Sequence, residues 1–468
     1  MDVRSGVATF AADEGLARLA TFPFALATWV TDDGYPVSAA VAAEIDLEAG
    51  SVRFEPPAGL EIPAEGELGL TGSHIRPQPG IGYDERRHVT VWGRASFMDD
   101  GRVEVRPSAA WGWDESSIPF PEYVERQVGQ SRRYLARLSD ETGRLVRPRL
   151  SRGWLTLRAT RLPFLSATVI PVSVGIAVAA AQGYFDLFAA LLTLVGAAAA
   201  HLGLNVANDI FDARLGADER NINPTQYSGG SRVIQYGLVS ARTMVLIAAT
   251  MYAIAIVVGL ILLATRYSPA LLVIGVLGIL LSFFYTAPPL KLVYRGLGEV
   301  TTAIGFGPLM LVGAYVVQTL GLLTAEPLVA SIPIALLVML ILYVNEVPDR
   351  SGDERAGKRT LPVRLPRTTV ISLYFIAALA AFATIAGGVL VGVLPVPALL
   401  ALLPLPLVFR VRDGLQRYYE QPYGLMAVMA VNIRVHLYVG ILLLAAYLVV
   451  IGASVAAPQL SLFVGGGR

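Results

Sequence analysis

The strongest constraint on this chain is a series of hydrophobic segments that begins just after Arg161. About nine are long enough to cross the hydrocarbon core of a bilayer: Pro163–Ala181, Phe185–Asn205, Thr243–Thr265, Pro269–Ala287, Val300–Gln318, Leu328–Val347, Thr369–Val391, Pro395–Val411 and Arg434–Ala456. Backbone polar groups in lipid must be satisfied within the segment, so the expected architecture is an all-α polytopic membrane helical bundle. The eighth segment is short and proline-rich, which leaves its ends the least well fixed. Composition agrees, with 54% of the 468 residues hydrophobic.

Charge narrows the partners. With 37 basic and 36 acidic residues, the net charge of +1 gives no electrostatic case for nucleic acid. The absence of cysteine excludes disulfides and thiolate metal sites. The opening MDVRSGVATFAADEG contains no apolar run long enough for a secretory signal, so the N-terminus is expected in the cytoplasm.

Residues 1–142 have a soluble composition and short alternating runs: Ala25–Val30, Val37–Ile45, Gly50–Glu55, Gly66–Gly72 and His88–Phe97. TDDG and MDDG turns separate them, the pattern of a small antiparallel β barrel, and Pro121–Leu138 reads as an amphipathic helix. Residues 143–160 form a basic linker that suits an anionic leaflet, and residues 161–468 form the membrane domain. Counting alternate loops from that linker places Arg214, Lys291, Arg350, Lys358 and Arg412 on one side, against essentially Arg266 alone on the other. By the positive-inside rule, the protein is a multi-pass protein of the cell membrane, with the barrel and the basic loops cytoplasmic and the C-terminus on the opposite side.

Two stretches carry the chemistry. In HLGLNVANDIFDARLGAD, Asn205, Asp209 and Asp212 fall at i, i+4 and i+7 of a continuing helix; in LYVNEVPDRSGDERAGKRTLP, Asn345, Asp349 and Asp353 fall at i, i+4 and i+8. Carboxylates at the ends of membrane helices are costly and call for partners. Magnesium takes few protein carboxylates and completes its shell with water and phosphate oxygens, so two facing clusters suit a metal-bridged diphosphate. Arg232, Lys291, Arg295, Lys358 and Arg359 are the candidate phosphate cations, and Gly229 and Gly230 would let backbone amides approach. Taken singly, an aspartate here is a helix-end group, a GG pair is a turn, and His201 and His436 are interhelical hydrogen-bonding groups. The coincidence of two like-spaced acidic faces on one side points to a site. Tyr285 and Tyr343 would either stabilise a carbocation through their ring faces or serve as interfacial anchors.

NVANDIFDARLGAD, FYTAPPLKLVYRGLGE, GFGPLMLVGAYVVQT and NEVPDRSGDERAGKRTL resemble, in order, the signature segments of the UbiA superfamily of intramembrane prenyltransferases, from about Arg152 to the C-terminus. The resemblance implies two magnesium ions gripping a polyprenyl diphosphate. Asn205, Asp209, Asp212 and Asp218 would supply the first metal cluster and Asp349 and Asp353 the second, with Asp209, Asp212, Asp349 and Asp353 catalytic. Asn208 and Asn345, with Tyr285 and Tyr343, would lie beside the acceptor or the allylic cation. One departure is Gly216, where many members carry an aspartate; here Asp218 follows two residues later. That spacing, with GGSRVIQYGLVS and AGKRT, is similar to the 1,4-dihydroxy-2-naphthoate branch that makes menaquinone. Homogentisate, 4-hydroxybenzoate, a glyceryl phosphate lipid and a porphyrin are the competing acceptors, and a transporter or lipid carrier is the rival class.

The N-terminal strands resemble the pyridoxamine 5'-phosphate oxidase-like split barrel, whose members often bind FMN. Ser73, His74, Arg76 and Arg94 are the candidate positions for a flavin phosphate. A cofactor-free regulatory or dimerising barrel is the alternative.

Overall fold

The structure, a computed structural model, describes residues 8–31, 36–63, 66–78, 82–117, 152–217, 225, 227–235 and 238–456, with isolated residues at 123, 136, 139–140 and 143. It divides into two compact units, Met1–Arg147 and Pro148–Arg468. The expected helix at Pro121–Leu138 falls largely outside the described residues.

The first unit is an antiparallel sheet of eight strands: β1 (Ala8–Phe10), β2 (Ala25–Val30), β3 (Pro36–Val41), β4 (Glu44–Asp46), β5 (Ser51–Phe54), β6 (Glu67–Gln78), β7 (Gly82–Phe97) and β8 (Val103–Asp114). Their order is β3-β2-β6-β7-β8-β5-β4, with β1 on β8, the curled sheet expected of a half-barrel. Alternation along the strands buries Leu68, Leu70, Val89, Val91, Val103 and Val105 on one face, and helix α1 (Ala12–Leu19) closes that face with Leu16 and Leu19. A bulge between Trp92 and Gly93 accommodates Pro107 on β8. Gly93 is required there, because a Cβ would lie 2.1 Å from the Arg106 carbonyl oxygen.

The second unit is helical: α2 (Arg152–Thr160), α3 (Ser166–Ala181), α4 (Leu187–Leu215), α5 (Ala241–Thr265), α6 (Pro269–Phe284), α7 (Gly298–Thr319), α8 (Ala325–Arg355), α9 (Arg367–Leu390), α10 (Leu405–Tyr418) and α11 (Pro422–Ala456). Among the described residues, six of these are long and apolar enough to span a membrane, namely α4, α5, α7, α8, α9 and α11. Helices α3 and α6 are apolar but only 16 residues long. The eighth expected span is not one helix. Pro395, Pro397, Pro404 and Pro406 break it into a 3-10 stretch, Val396–Leu402, and the more polar α10, because each proline removes a backbone donor. The ninth starts earlier than expected, at Pro422 rather than Arg434.

Helix α8 is the axis of the bundle. It is the most deeply buried span, packed by α9, α11 and the middle of α7. At 31 and 29 residues, α8 and α4 are about 46 and 43 Å long, well beyond a hydrocarbon core of about 30 Å. Each is therefore long enough for an end to extend beyond that core. The carboxylate of Asp186 caps α4 by accepting from the Ala189 amide (2.8 Å), and Gly216 ends it at a left-handed φ of 73°. This gives Gly216 a physical role where an aspartate was the family expectation. Residues Gly305–Val312 of α7 form a π-helix, and Pro308 sits within it.

Candidate active site

The two acidic stretches converge. The ends of α4 and α8 line one cavity of about 170 Å³, to which α4 gives Asn205, Asn208 and Asp212 and α8 gives Asn345, Glu346, Asp349 and Asp353. On α4 the periodicity of about 100° per residue decides which groups arrive. Asn205 and Asn208 stand about 20° and 40° to either side of Asp212, whereas Asp209 lies about 60° away, beyond Asn205. Asp209 is buried outside the cavity lining, where it accepts from Arg161 Nη2 (3.1 Å) and from the Ser231 amide (3.2 Å).

Lys358 ties the two helices together. Its Nζ is 3.7 Å from Asp212 Oδ2 and 3.7 Å from Asp353 Oδ1, so these oxygens of the two clusters lie within twice that distance of each other. Burial alone would lower the pKa of the ammonium, but the Asp212 and Asp353 carboxylates outweigh that effect and hold it well above the ordinary lysine range. Asp212 also accepts from Tyr294 Oη (2.7 Å) and Asn208 Nδ2 (3.1 Å), while Asn208 Oδ1 accepts from Thr286 (2.7 Å). Asp349 Oδ2 accepts from the Gly229 amide (2.9 Å). Gly229 and Gly230 line the cavity at φ of 77° and 76°, conformations that side chains rarely adopt.

Of the five expected phosphate cations, only Lys358 lines this cavity. Arg232 is buried and donates from Nε to the Gly229 carbonyl, bracing the glycine turn. Arg295 is exposed and donates to the Pro289 carbonyl; Lys291 and Arg359 lie on the same loops, away from the lining. Arg161, which the sequence placed only at the end of a basic stretch, does reach the cavity. Asp218 lies outside the described residues. Tyr285 lines the cavity, whereas Tyr343 lines neither this cavity nor its neighbour and donates to the Val370 carbonyl (3.1 Å) within the core. Tyr294, Glu346 and Arg161 were missed by the sequence reading. Glu346 carried a usable signal, since it stands at i−3 and i−7 from Asp349 and Asp353.

A second cavity, about 460 Å³ and almost wholly apolar, adjoins the first. His201, Leu204, Tyr285, Thr302 and Phe306 line both, and the far wall comes from α5, α6 and the π segment of α7. His201 links α4 to α3 through Thr168 (2.7 Å), an interhelical bond of the kind expected of it.

The polar cavity is chemically suited to magnesium. Its donors are hard oxygens, and Asn345 Oδ1 and Asp353 Oδ2 are buried without a hydrogen-bonding partner. Among the described residues no three acidic or histidine groups form a ready-made metal cage. Magnesium does not require one when a phosphorylated ligand supplies the remaining oxygens. In the barrel, His74 and Arg76 both lie against the Glu85 carboxylate (3.4 and 2.9 Å), and Arg94 is exposed on β7.

A polytopic helical bundle with an oxygen-rich cleft between two helix ends, opening onto an apolar channel, defines a membrane protein with an internal site for an amphiphile. The chain belongs to the UbiA prenyltransferase family, whose profile matches residues 168–433. It is similar to 2-carboxy-1,4-naphthoquinone phytyltransferase of Synechocystis sp., with 29% identity over 63% of this chain and 92% of the relative. It is also similar to 1,4-dihydroxy-2-naphthoate octaprenyltransferase of Bacillus subtilis, with 26% identity over 52% of this chain and 76% of the relative. Among solved structures, a UbiA homolog from Archaeoglobus fulgidus bound to GPP and Mg2+ aligns with 64% of this chain and 99% of its own, at 14% identity and a TM-score of 0.43. The protein is a membrane-embedded prenyltransferase.

Proposed function

We propose that the protein transfers a polyprenyl group from an allylic polyprenyl diphosphate to 1,4-dihydroxy-2-naphthoate, the prenylation step of menaquinone formation. The observation that carries this reading is the meeting of Asp212 and Asp353 at Lys358, directly beside an apolar channel. The two relatives named above differ in the tail they are named for, phytyl against octaprenyl, but share a carboxylated naphthalene ring. The ring class is therefore the common element. In this reading the barrel and both acidic helix ends face the cytoplasm, where a water-soluble diphosphate headgroup arrives.

Asp212, Asp349 and Asp353, with Asn208 and Asn345 beside them, would hold two magnesium ions together with the substrate's phosphate oxygens. Magnesium when bound supplies Lewis-acid charge to the diphosphate leaving group. The chain's own contribution begins with Lys358 and Arg161, whose cations lie where negative charge accumulates as the allylic carbon–oxygen bond breaks. The Gly230 amide adds a backbone donor near them. Tyr285 and Phe306 sit where the two cavities meet, so their rings flank the developing allylic cation and exclude water from it. The electron-rich ring attacks there, and the acceptor carboxylate leaves as carbon dioxide. The apolar channel holds the tail. Asp209 acts at one remove, fixing Arg161 and the 229–232 turn.

The test is a membrane assay with geranylgeranyl diphosphate and a panel comprising 1,4-dihydroxy-2-naphthoate, homogentisate and 4-hydroxybenzoate, with products identified by mass. Prenylated naphthol that disappears in excess chelator and returns with magnesium is the expected result. Product from another ring alone would refute the acceptor, and transfer persisting in chelator would refute the metal assignment.

A further inference from the structure

One carboxyl group in the polar cavity is not used by the diphosphate reading. Glu346 is 4% exposed and lines the cavity; no donor from the described residues reaches either oxygen, and its polar neighbour is another carboxyl group, that of Glu299. Two buried carboxyl groups side by side are expensive unless a donor is supplied to them. Glu346 stands three residues before Asp349 on α8, about 4.5 Å deeper along the helix axis. That depth sets it below the level of the metal-binding carboxylates and toward the apolar channel. Behind it is Glu299 of α7, 1% exposed, whose Oε1 accepts from the Leu361 amide (2.9 Å) and which does not itself line the cavity. Tyr285 and Thr302, which line both cavities, complete this wall.

The reacting ring must meet the allylic carbon between the diphosphate and the tail, at the mouth of the apolar channel. Resting on the transfer reaction proposed above, we infer that Glu346 is the residue that recognises the aromatic acceptor, hydrogen-bonding a ring hydroxyl through its cavity-facing carboxyl group. The ligand class it selects is a hydroxylated aromatic ring, because such a ring brings an O–H donor that the Glu346 and Glu299 carboxyl pair does not receive from the described residues around it. The adjoining channel is almost wholly apolar, so a contact at Glu346, on the polar side of its mouth, turns the ring toward the allylic carbon.

The experiment compares wild type, Glu346→Gln and Glu346→Ala in membranes, varying 1,4-dihydroxy-2-naphthoate and geranylgeranyl diphosphate independently. Losing this hydrogen bond and leaving the ring hydroxyl unpaired in a buried site is expected to raise the acceptor KM of Glu346→Ala by about 10- to 100-fold. The diphosphate KM and the magnesium requirement should stay within about twofold of wild type, and Glu346→Gln should fall between. An unchanged acceptor KM in Glu346→Ala overturns the inference while leaving the proposed reaction standing. A joint rise in both KM values also overturns it, by placing Glu346 with the metal cluster. Absence of naphthoate prenylation in wild type removes the proposed reaction, and the inference with it.

Discussion

Lys358→Met is the sharpest probe of the convergence of the two helices. The ammonium touches Asp212 and Asp353 at 3.7 Å each, and the three side chains are 13%, 6% and 8% exposed, so solvent screens these contacts little. At an effective dielectric of about 20, each contact is worth about 4 kcal/mol before desolvation is subtracted. Removing one partner of a buried ion pair typically costs about 3–5 kcal/mol net, because the remaining carboxylates are left uncompensated. Methionine keeps the length of the stem, so packing changes little. Without divalent cation the variant should therefore melt earlier than wild type, and magnesium should stabilise it by more than it stabilises wild type, since the ion now supplies the missing charge. Turnover should not be rescued so fully. A preorganised cation at the leaving group is worth about 10²–10³ in rate, so kcat/KM should fall by that factor even at saturating magnesium. The assays are thermal unfolding in detergent with chelator or magnesium, and transfer followed by mass. Wild-type stability in chelator together with wild-type kcat/KM would refute the argument.

Because the Lys358 pKa is raised, its contribution is fully present below the unfolded lysine value of about 10.4 and is lost only as pH rises through the still higher folded value; a pH–rate profile should show no Lys358-dependent decline below about pH 10. Asp212→Ala should abolish transfer, whereas Asp209→Asn should chiefly lower stability by about 3 kcal/mol or more through loss of the Arg161 pair, with a smaller rate effect; the ratio of melting shift to rate loss distinguishes them. Gly278 lines the apolar channel with nothing within 4 Å of an added Cβ, so Gly278→Phe should discriminate against long tails, raising the KM of octaprenyl diphosphate by about tenfold or more over that of geranyl diphosphate. Gly175→Val should reduce stability by about 1–3 kcal/mol, since a Cβ there meets the Leu311 carbonyl oxygen at 2.2 Å.

Periodicity and turn signals carried much of the architecture. Ala25–Val30 alternates cleanly and is β2 to the residue, whereas β8 hid behind Pro107 and Gly112, which break the alternation and make sense only as a bulge and a close strand approach. Span lengths were legible where prolines were few and misled where four fell between 395 and 406. In the site, the i, i+4, i+8 spacing puts Asn345, Asp349 and Asp353 on one cavity. On α4 the i, i+4, i+7 set included Asp209 and left Asn208 aside, because the rotation of the helix against α8 is a tertiary quantity. Cations were the least legible. Lysines and arginines on loops are all compatible with phosphate by type, and only the chain path selects Lys358 and Arg161 over Lys291, Arg295 and Arg359.

The π stretch of α7 holds one residue more than an α-helix of the same rise would, and Phe306, Leu309, Met310 and Gly313, on it and just beyond it, form part of the channel wall. Everything after it is turned by about a quarter revolution relative to a regular helix. Deleting a single residue between 305 and 312 would wind the segment back into ordinary pitch and swing Tyr315 and Gln318 out of their bonds to Gln182 and Asp186. The channel wall and the polar latch at the other end of the bundle are thus geared to each other by one surplus amino acid.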